Sequence, residues 1–172
     1  MSLPVEKHLP PENPPAGRRL WLGLLASLAL AYGVAGLSGT VTVAAIPVWY
    51  GTIAKPWFTP PDWVFGPVWT TLFTMMAVAV WRVWRCGPSP RVRQALRLYA
   101  IQLALNGLWP LLFFGLHRPD LALAEILVFA PMIAVTLVAF WRLDRLAGAL
   151  MVPYLAWASF ATALNATIVA MN

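Results

Sequence analysis

Charged residues are scarce in this chain. They make up 10% of its 172 residues, whereas 60% of the residues are hydrophobic. A soluble domain contains about 25% charged residues. A folded chain of this length leaves roughly a third of its surface exposed, so water-facing surface cannot accommodate this hydrophobic excess. The composition therefore predicts that lipid surrounds much of the protein.

Residues that commonly perform catalysis are also few. Cys86 is the only cysteine, which excludes an intrachain disulfide and a thiolate metal cluster. The two histidines, His8 and His117, lie in a proline-rich tail and in a short turn. No serine, histidine and aspartate triad and no glycine-rich phosphate loop is recognisable. We expect neither classical hydrolysis, phosphoryl transfer nor metal catalysis, and no obligatory cofactor.

The organisation of the chain is all-α. Residues 1–17 contain five prolines among polar residues and are expected to form a disordered cytoplasmic tail. Residues 18–172 hold five apolar runs, each long enough for a bilayer core of about 30 Å, which a helix of about 20 residues crosses. The sequence predicts an integral membrane bundle of five transmembrane helices, at about 20–44, 63–84, 94–116, 121–141 and 146–171.

The distribution of Lys and Arg predicts the orientation. With a cytoplasmic N-terminus, ten basic residues lie on the inner side, and only Lys55 and Arg118 lie outside. This is the positive-inside pattern, and it places the first loop and the C-terminus on the opposite side. The net charge of +6 does not indicate nucleic-acid binding, because the basic residues are separated by apolar segments and form no continuous polar face.

The first connection, residues 45–62, is rich in proline and aromatic residues. Prolines restrict φ and stiffen such a segment. Tryptophans near a membrane surface often form an interfacial belt. Long ordered loops, however, more often cover a functional site. The loop is therefore either a belt or the lid of a site.

Two later helices carry polar and aromatic residues at helical spacing. Tyr154, Trp157, Ala161 and Asn165 share one stripe, and an amide such as that of Asn165 should face the bundle. The third helix repeats the pattern, with the residues Tyr99, Gln102, Asn106 and Trp109. These stripes either pack helices together or line a cavity for a flat apolar ligand. Glu125 is a further candidate, because ionisable residues within spans are often functional.

Three blocks of residues resemble one family. The first holds Trp49, Tyr50, Lys55, Pro56, Pro60, Pro61, Trp63 and Gly-Pro-Val-Trp-Thr at 66–70. The second holds Gln-Leu-Ala-Leu-Asn at 102–106, Trp109, Pro110 and Phe-Phe-Gly at 113–115. The third holds Pro-Tyr-Leu-Ala-Trp at 153–157, Phe-Ala-Thr at 160–162, Leu164 and Asn165. In order and spacing the chain resembles the TspO/MBR family of bacterial tryptophan-rich sensory proteins and the mitochondrial translocator protein, or peripheral-type benzodiazepine receptor.

The resemblance implies a homodimer of five-helix bundles, each with a cavity beneath the first loop. Family members bind protoporphyrin IX and other tetrapyrroles, as well as benzodiazepine and isoquinoline carboxamide drugs. Carried onto this sequence, and joined by Asn165 from the stripe analysis, the ligand-binding residues would be Tyr50, Phe58, Pro60, Trp69, Phe73, Asn106, Trp109, Trp157, Ala161 and Asn165. Phe58 stands where a tryptophan is common. Sterol binding is expected to be weak, because no Tyr followed by Lys or Arg ends the fifth helix.

Three functions are compatible with this picture. A tetrapyrrole-binding sensor or regulator agrees best, with Lys55 placed to meet a propionate. A transporter of porphyrins or small amphiphiles is an alternative, although no internal repeat is visible. Light-dependent porphyrin degradation requires no acid–base pair and is the third. The expected membrane is the bacterial cell membrane. For the dimer, a stripe of small residues at Ala31, Ala35 and Gly39, together with Ala100 and Ala104, would permit close helix contact.

Overall fold

The computed structural model describes residues 17–172, apart from the side chain of Arg18. Within this range the chain forms five long helices, and each is long and apolar enough to cross a membrane. They are α1 (Arg18–Ala45), α2 (Asp62–Trp84), α3 (Pro90–Pro110), α4 (Pro119–Trp141) and α5 (Arg145–Met171). The predicted all-α membrane bundle is confirmed. The predicted tail, residues 1–17, lies outside the described residues except for Gly17.

Two of the helices end in wider π-helical turns on the side of the first loop. Ile46–Tyr50 continues α1, and Leu111–Gly115 continues α3. Prolines precede or begin both turns, at Pro47 and Pro110. Such turns are frequent near functional sites. They place Tyr50, Phe113 and Phe114 in one buried aromatic cluster at this end of the bundle.

Local capping explains where α3 and α5 begin. The Ser89 hydroxyl accepts a hydrogen bond from the Val92 amide at 3.2 Å, and Pro90 occupies the first helical position. This cap starts α3 four residues earlier than the hydrophobic run indicates. Asp144 caps α5 by accepting from the Ala147 amide at 2.8 Å. Short capped turns hold these helices as antiparallel neighbours.

One ion pair ties α2 to the turn between α4 and α5. Arg82 donates to both carboxylate oxygens of Asp144, at 3.1 Å from Nε and 2.8 Å from Nη2. Partial burial acts to raise the pKa of the Asp144 carboxyl. The hydrogen bonds from Arg82 and Ala147 outweigh that effect, so the pKa lies below its ordinary value. This carboxylate therefore joins α2 to the start of α5 at the end of the bundle opposite the first loop.

The surroundings of the small-residue stripe of α1 change along the helix. Ala31 is fully buried, and Ala35 and Gly39 line a cavity. A Cβ atom added at Gly39 would meet no heavy atom within 4 Å, so close packing within the chain is observed at Ala31 and not at Gly39. Ala100 and Ala104 of α3 are exposed.

Candidate ligand cavity

A cavity of about 560 Å³ lies in the half of the bundle next to the first loop. This volume is typical of sites for small organic ligands. Its wall comes from α1, α2, α3, α5 and both π-helical turns. The residues that line it include Tyr32, Ala35, Gly36, Ser38, Gly39, Thr42, Val43, Tyr50, Asp62, Trp63, Gly66, Trp69, Thr70, Phe73, Asn106, Trp109, Phe113, Phe114 and Phe160, with Trp157, Ala161, Leu164, Asn165 and Ile168 of α5.

Three tryptophans from three different helices form part of this wall. The ring of Trp69 lies 5.7 Å from that of Phe73, and Trp157 lies 5.4 Å from Phe160. Trp109 stacks on Phe113, with 4.9 Å between centroids and 19° between planes. Aromatic contacts of this kind fix the indole rings in place. The cavity therefore offers large, rigid and flat surfaces.

Behind the wall, a chain of hydrogen bonds joins α3 to α5. The Asn106 amide donates to the Tyr154 hydroxyl at 2.7 Å, and this hydroxyl donates to Gln102 Oε1 at 2.9 Å. Tyr154 and Gln102 are fully buried. Because buried amides are costly when unpaired, the chain stabilises the side-chain position of Asn106 at the cavity.

The side-chain amide of Asn165 makes hydrogen bonds to the backbone at the start of α4. With its amide oriented to match its neighbours, Oδ1 accepts from the Leu123 amide at 2.8 Å and Nδ2 donates to the Pro119 carbonyl at 3.2 Å. It thereby bridges the carbonyl of Pro119 and the amide of Leu123, which lie one turn apart at the start of α4. The sequence expectation that this amide faces the bundle agrees with its 1% exposure.

The first loop is held down by its own contacts. Lys55 Nζ donates to the Tyr50 carbonyl at 2.8 Å and lies 4.4 Å from the Tyr50 ring centroid. Asn172 pairs with the backbone of Ala54 through two hydrogen bonds of 3.0 Å. The Lys55 amine is thus engaged with Tyr50 and does not line the cavity. Among the described lining residues, Asp62 is charged and none is basic.

Eight of the ten residues expected to bind ligand lie in the wall of this one cavity. They are Tyr50, Trp69, Phe73, Asn106, Trp109, Trp157, Ala161 and Asn165. The other two, Phe58 and Pro60, lie outside the wall. Phe58 instead packs edge-on against Phe160, with centroids 6.3 Å apart, so it supports a lining residue from behind.

The contribution of α1 to the wall was not anticipated from the sequence. Tyr32, Ser38 and Thr42 line the cavity together with Gly36 and Gly39. These polar residues are dispersed in a long apolar run and show no stripe of polar and aromatic residues. The spacing of Tyr32, Gly36 and Gly39, in steps of four and three, is the signal that was available, since it places them on one helix face.

Glu125 lies outside the cavity wall. Both of its carboxyl oxygens are shielded from solvent and have no hydrogen-bond partner in the described part of the chain. The indole N–H of Trp109, which does line the cavity, also lacks an acceptor among the described residues. Trp109 contributes other atoms of its side chain to the cavity wall, whereas Glu125 contributes none.

These features define a multi-pass membrane protein with a tryptophan-lined cavity. Residues 25–171 match the TspO/MBR family, and the chain belongs to that family.

Individual relatives agree with this assignment. The chain is 43% identical over 154 residues to the tryptophan-rich protein TspO of Chlorobaculum tepidum, which covers 89% of this chain and 96% of the relative. It is 46% identical over 124 residues to the tryptophan-rich sensory protein of Cereibacter sphaeroides, covering 72% and 77%. The human translocator protein is 42% identical over 119 residues, covering 68% and 70%.

Proposed function

We propose that this protein is a membrane sensor or regulator that binds a tetrapyrrole such as protoporphyrin IX in the cavity. The same cavity would take benzodiazepine-type and isoquinoline carboxamide drugs. The observation that carries the proposal is the 560 Å³ space with Trp69, Trp109 and Trp157 in its wall. A porphyrin is flat and has apolar faces, which indole rings match well. The name of the sensory relative supports a regulatory role.

Charge restricts how such a ligand is held. Asp62 lies in the wall at the start of α2, and no described lining residue is basic. The amine of Lys55 is already engaged with Tyr50. A carboxylate inside the cavity would be buried without a partner, which is costly. A porphyrin would therefore keep its propionates in water at the loop end, and uncharged drugs would avoid this restriction.

One polar group in the cavity wall is available to orient a ligand. The Asn106 side chain is held by Tyr154 through its Nδ2 atom, which leaves its oxygen to accept. A ligand that supplies an N–H or O–H donor at this point would satisfy that oxygen. The indole N–H of Trp109 has no acceptor among the described residues, but it is shielded from the cavity and would meet a ligand only after the ring turned.

The orientation we propose places the cavity away from the cytoplasm, in the bacterial cell membrane. Basic residues concentrate at one end of the helices, and Lys55 and Arg118 lie at the other. Described basic residues at the first end are Arg19, Arg82, Arg85, Arg91, Arg93, Arg97, Arg142 and Arg145. The positive-inside rule makes that end cytoplasmic. We also propose a homodimer through the exposed Ala100 and Ala104 of α3, which would permit close helix contact.

The test is a titration of purified protein with protoporphyrin IX, followed by intrinsic tryptophan fluorescence. We expect saturable quenching with a dissociation constant in the low-micromolar range or tighter. Ala161→Phe, which fills part of the cavity, should weaken binding about tenfold or more, a loss of about 1.4 kcal/mol. Ala163→Phe is the matched control, because Ala163 is exposed on the same helix.

The outcomes separate clearly. Binding by Ala163→Phe should stay within about twofold of the wild-type protein. Equal weakening by both substitutions would place the ligand elsewhere and contradict the proposal. Loss of porphyrin absorbance in the light but not in the dark would support degradation, the reaction for which the three indoles around the ligand would be suited. Protein-dependent porphyrin flux across vesicles would support transport.

A further inference from the structure

We propose that ligands reach this cavity sideways from the lipid, through a gap between α1 and α2, and that the first loop stays closed. The inference rests on the proposed ligand-binding function. It also narrows the ligand class to flat, uncharged or weakly charged amphiphiles that dissolve in the membrane, because these are the molecules available at such an opening.

Exposure distinguishes one side of the cavity from the other. The lining residues Val43 and Trp63 are 71% and 75% exposed, and Tyr32 is 41% exposed. The opposite wall is closed, because its members are at most 8% exposed. These members are Phe73, Asn106, Phe113, Phe114, Leu164, Asn165 and Ile168. Residues that both line a cavity and face outward mark where it opens. The cavity therefore opens between α1 and α2.

The hydrogen bonds between α1 and α2 lie on one side of this gap. Trp81 Nε1 donates to the Leu20 carbonyl at 2.9 Å, and the Tyr32 hydroxyl lies 2.7 Å from Thr74 Oγ1. Tyr32 also contacts the Thr70 carbonyl weakly, at 3.5 Å. From Tyr32 toward the loop, no further hydrogen bond joins these helices among the described residues. Hydrogen bonds thus join the two helices from the end that we propose to be cytoplasmic as far as Tyr32, and none within residues 17–172 joins them in the half next to the first loop.

Glycines keep the gap open. Gly36 and Gly39 of α1 and Gly66 of α2 all line the cavity. A Cβ atom added at any of the three would meet no heavy atom within 4 Å. The three glycines therefore leave unfilled space between α1 and α2 that larger side chains could occupy. A flat ring system would fit into space of this kind.

The first loop offers a poorer route. Two hydrogen bonds from Asn172 hold the backbone of Ala54, and Lys55 holds the Tyr50 carbonyl. Pro56 is buried, and Phe58 rests against Phe160. All of these contacts would have to break before a ligand could pass. Entry of a ligand through the lateral gap would require only the displacement of lipid chains.

The experiment attaches a bulky covalent label at the gap. In a Cys86→Ser background, Gly36→Cys is labelled with a bulky maleimide, and the protein is reconstituted into vesicles. Gly33→Cys is the matched control, because Gly33 is exposed on the same helix, has open space around it and does not line the cavity. Association and dissociation of protoporphyrin IX are followed by stopped-flow tryptophan quenching.

We expect the label at Gly36 to slow association and dissociation together, by about tenfold or more, while the label at Gly33 leaves both rates within about twofold. A third variant, Asn172→Ala, removes the two hydrogen bonds that hold Ala54 and should leave both rates unchanged. Gly66→Cys on the facing helix repeats the test if Gly36→Cys does not fold. The association rate should also follow the amount of porphyrin in the bilayer rather than in water.

Three results would overturn the route. One is unchanged rates in labelled Gly36→Cys. Another is faster association in Asn172→Ala, which would assign access to the loop. The third is resistance of Gly36→Cys to labelling while Gly33→Cys reacts, because the gap would then be covered. Absence of saturable quenching in the wild-type protein would instead overturn the proposed function, and the route with it.

Discussion

Asn106, in the wall of the cavity, donates a hydrogen bond of 2.7 Å to the hydroxyl of Tyr154, which is fully buried behind it. Tyr154 in turn donates to Gln102. The polar group in the cavity wall is thus positioned by two residues that lie outside that wall. This arrangement makes the stability of the bundle and the geometry of the site depend on the same hydroxyl.

Tyr154→Phe should therefore destabilise the protein. It leaves the amides of Asn106 and Gln102 without partners, which costs about 1–3 kcal/mol. The matched control is Tyr99→Phe, because Tyr99 is also buried but its hydroxyl has no partner in the described structure. That variant should stay within about 0.5 kcal/mol of the wild-type protein. Unfolding in mixed micelles measures both, and equal losses would refute the role assigned to Tyr154.

The ion pair of Arg82 and Asp144 predicts a dependence of stability on pH. The folded pKa of Asp144 lies below its ordinary value of 3.8, so the ionised carboxylate stabilises the fold above that value. The contribution is lost as the pH falls through the folded pKa. Asp144→Asn retains an oxygen that can cap α5 but carries no charge.

Thermal unfolding in a nonionic detergent measures this effect. At neutral pH, Asp144→Asn should melt below the wild-type protein, and the difference should shrink as the pH falls below 3.8. Arg82→Gln should behave in the same way, because it removes the other partner of the pair. A difference that stays constant down to strongly acid pH would show that the charge of Asp144 contributes nothing.

Asp62 should discriminate between ligands by charge. It is the acidic member of the described cavity wall. Opposing charges a few ångströms apart in water interact by about 1 kcal/mol, and like charges repel by a similar amount. Asp62→Asn should therefore tighten binding of protoporphyrin IX by about two- to fivefold. Binding of an uncharged isoquinoline carboxamide should not change. Titrations of both ligands at low and high salt measure this, and an equal effect on both would exclude a charge mechanism.

The sequence was sufficient for the fold and for most of the cavity, for identifiable reasons. Long apolar runs and basic residues at their ends define the helices without any knowledge of packing. Stripes on the third and fifth helices placed Asn106, Trp109 and Trp157 correctly, because helical spacing determines which residues share a face.

Other features depend on how the helices pack, which a sequence does not reveal. The stripe at Ala31, Ala35 and Gly39 was interpreted as a surface for a second copy, and this stays a prediction: Ala31 is buried within the bundle, whereas a Cβ added at Gly39 would meet no heavy atom within 4 Å. A stripe of small residues indicates that another helix can pack closely, but it does not tell whether that helix belongs to the same chain or to a second copy. Lys55 was expected to meet a propionate, and this stays a prediction: its amine donates to the Tyr50 carbonyl five residues away and lies outside the cavity wall. A local backbone acceptor competes with a distant ligand in a way that residue type cannot predict.

The most direct test of ligand binding in the tryptophan-lined cavity is a structure determined with protoporphyrin IX bound. We expect density for the macrocycle among Trp69, Trp109 and Trp157, with the propionates toward the loop end. Density on the outer surface of the helices, or above the loop beyond Phe58, with this cavity empty of ligand, would contradict it.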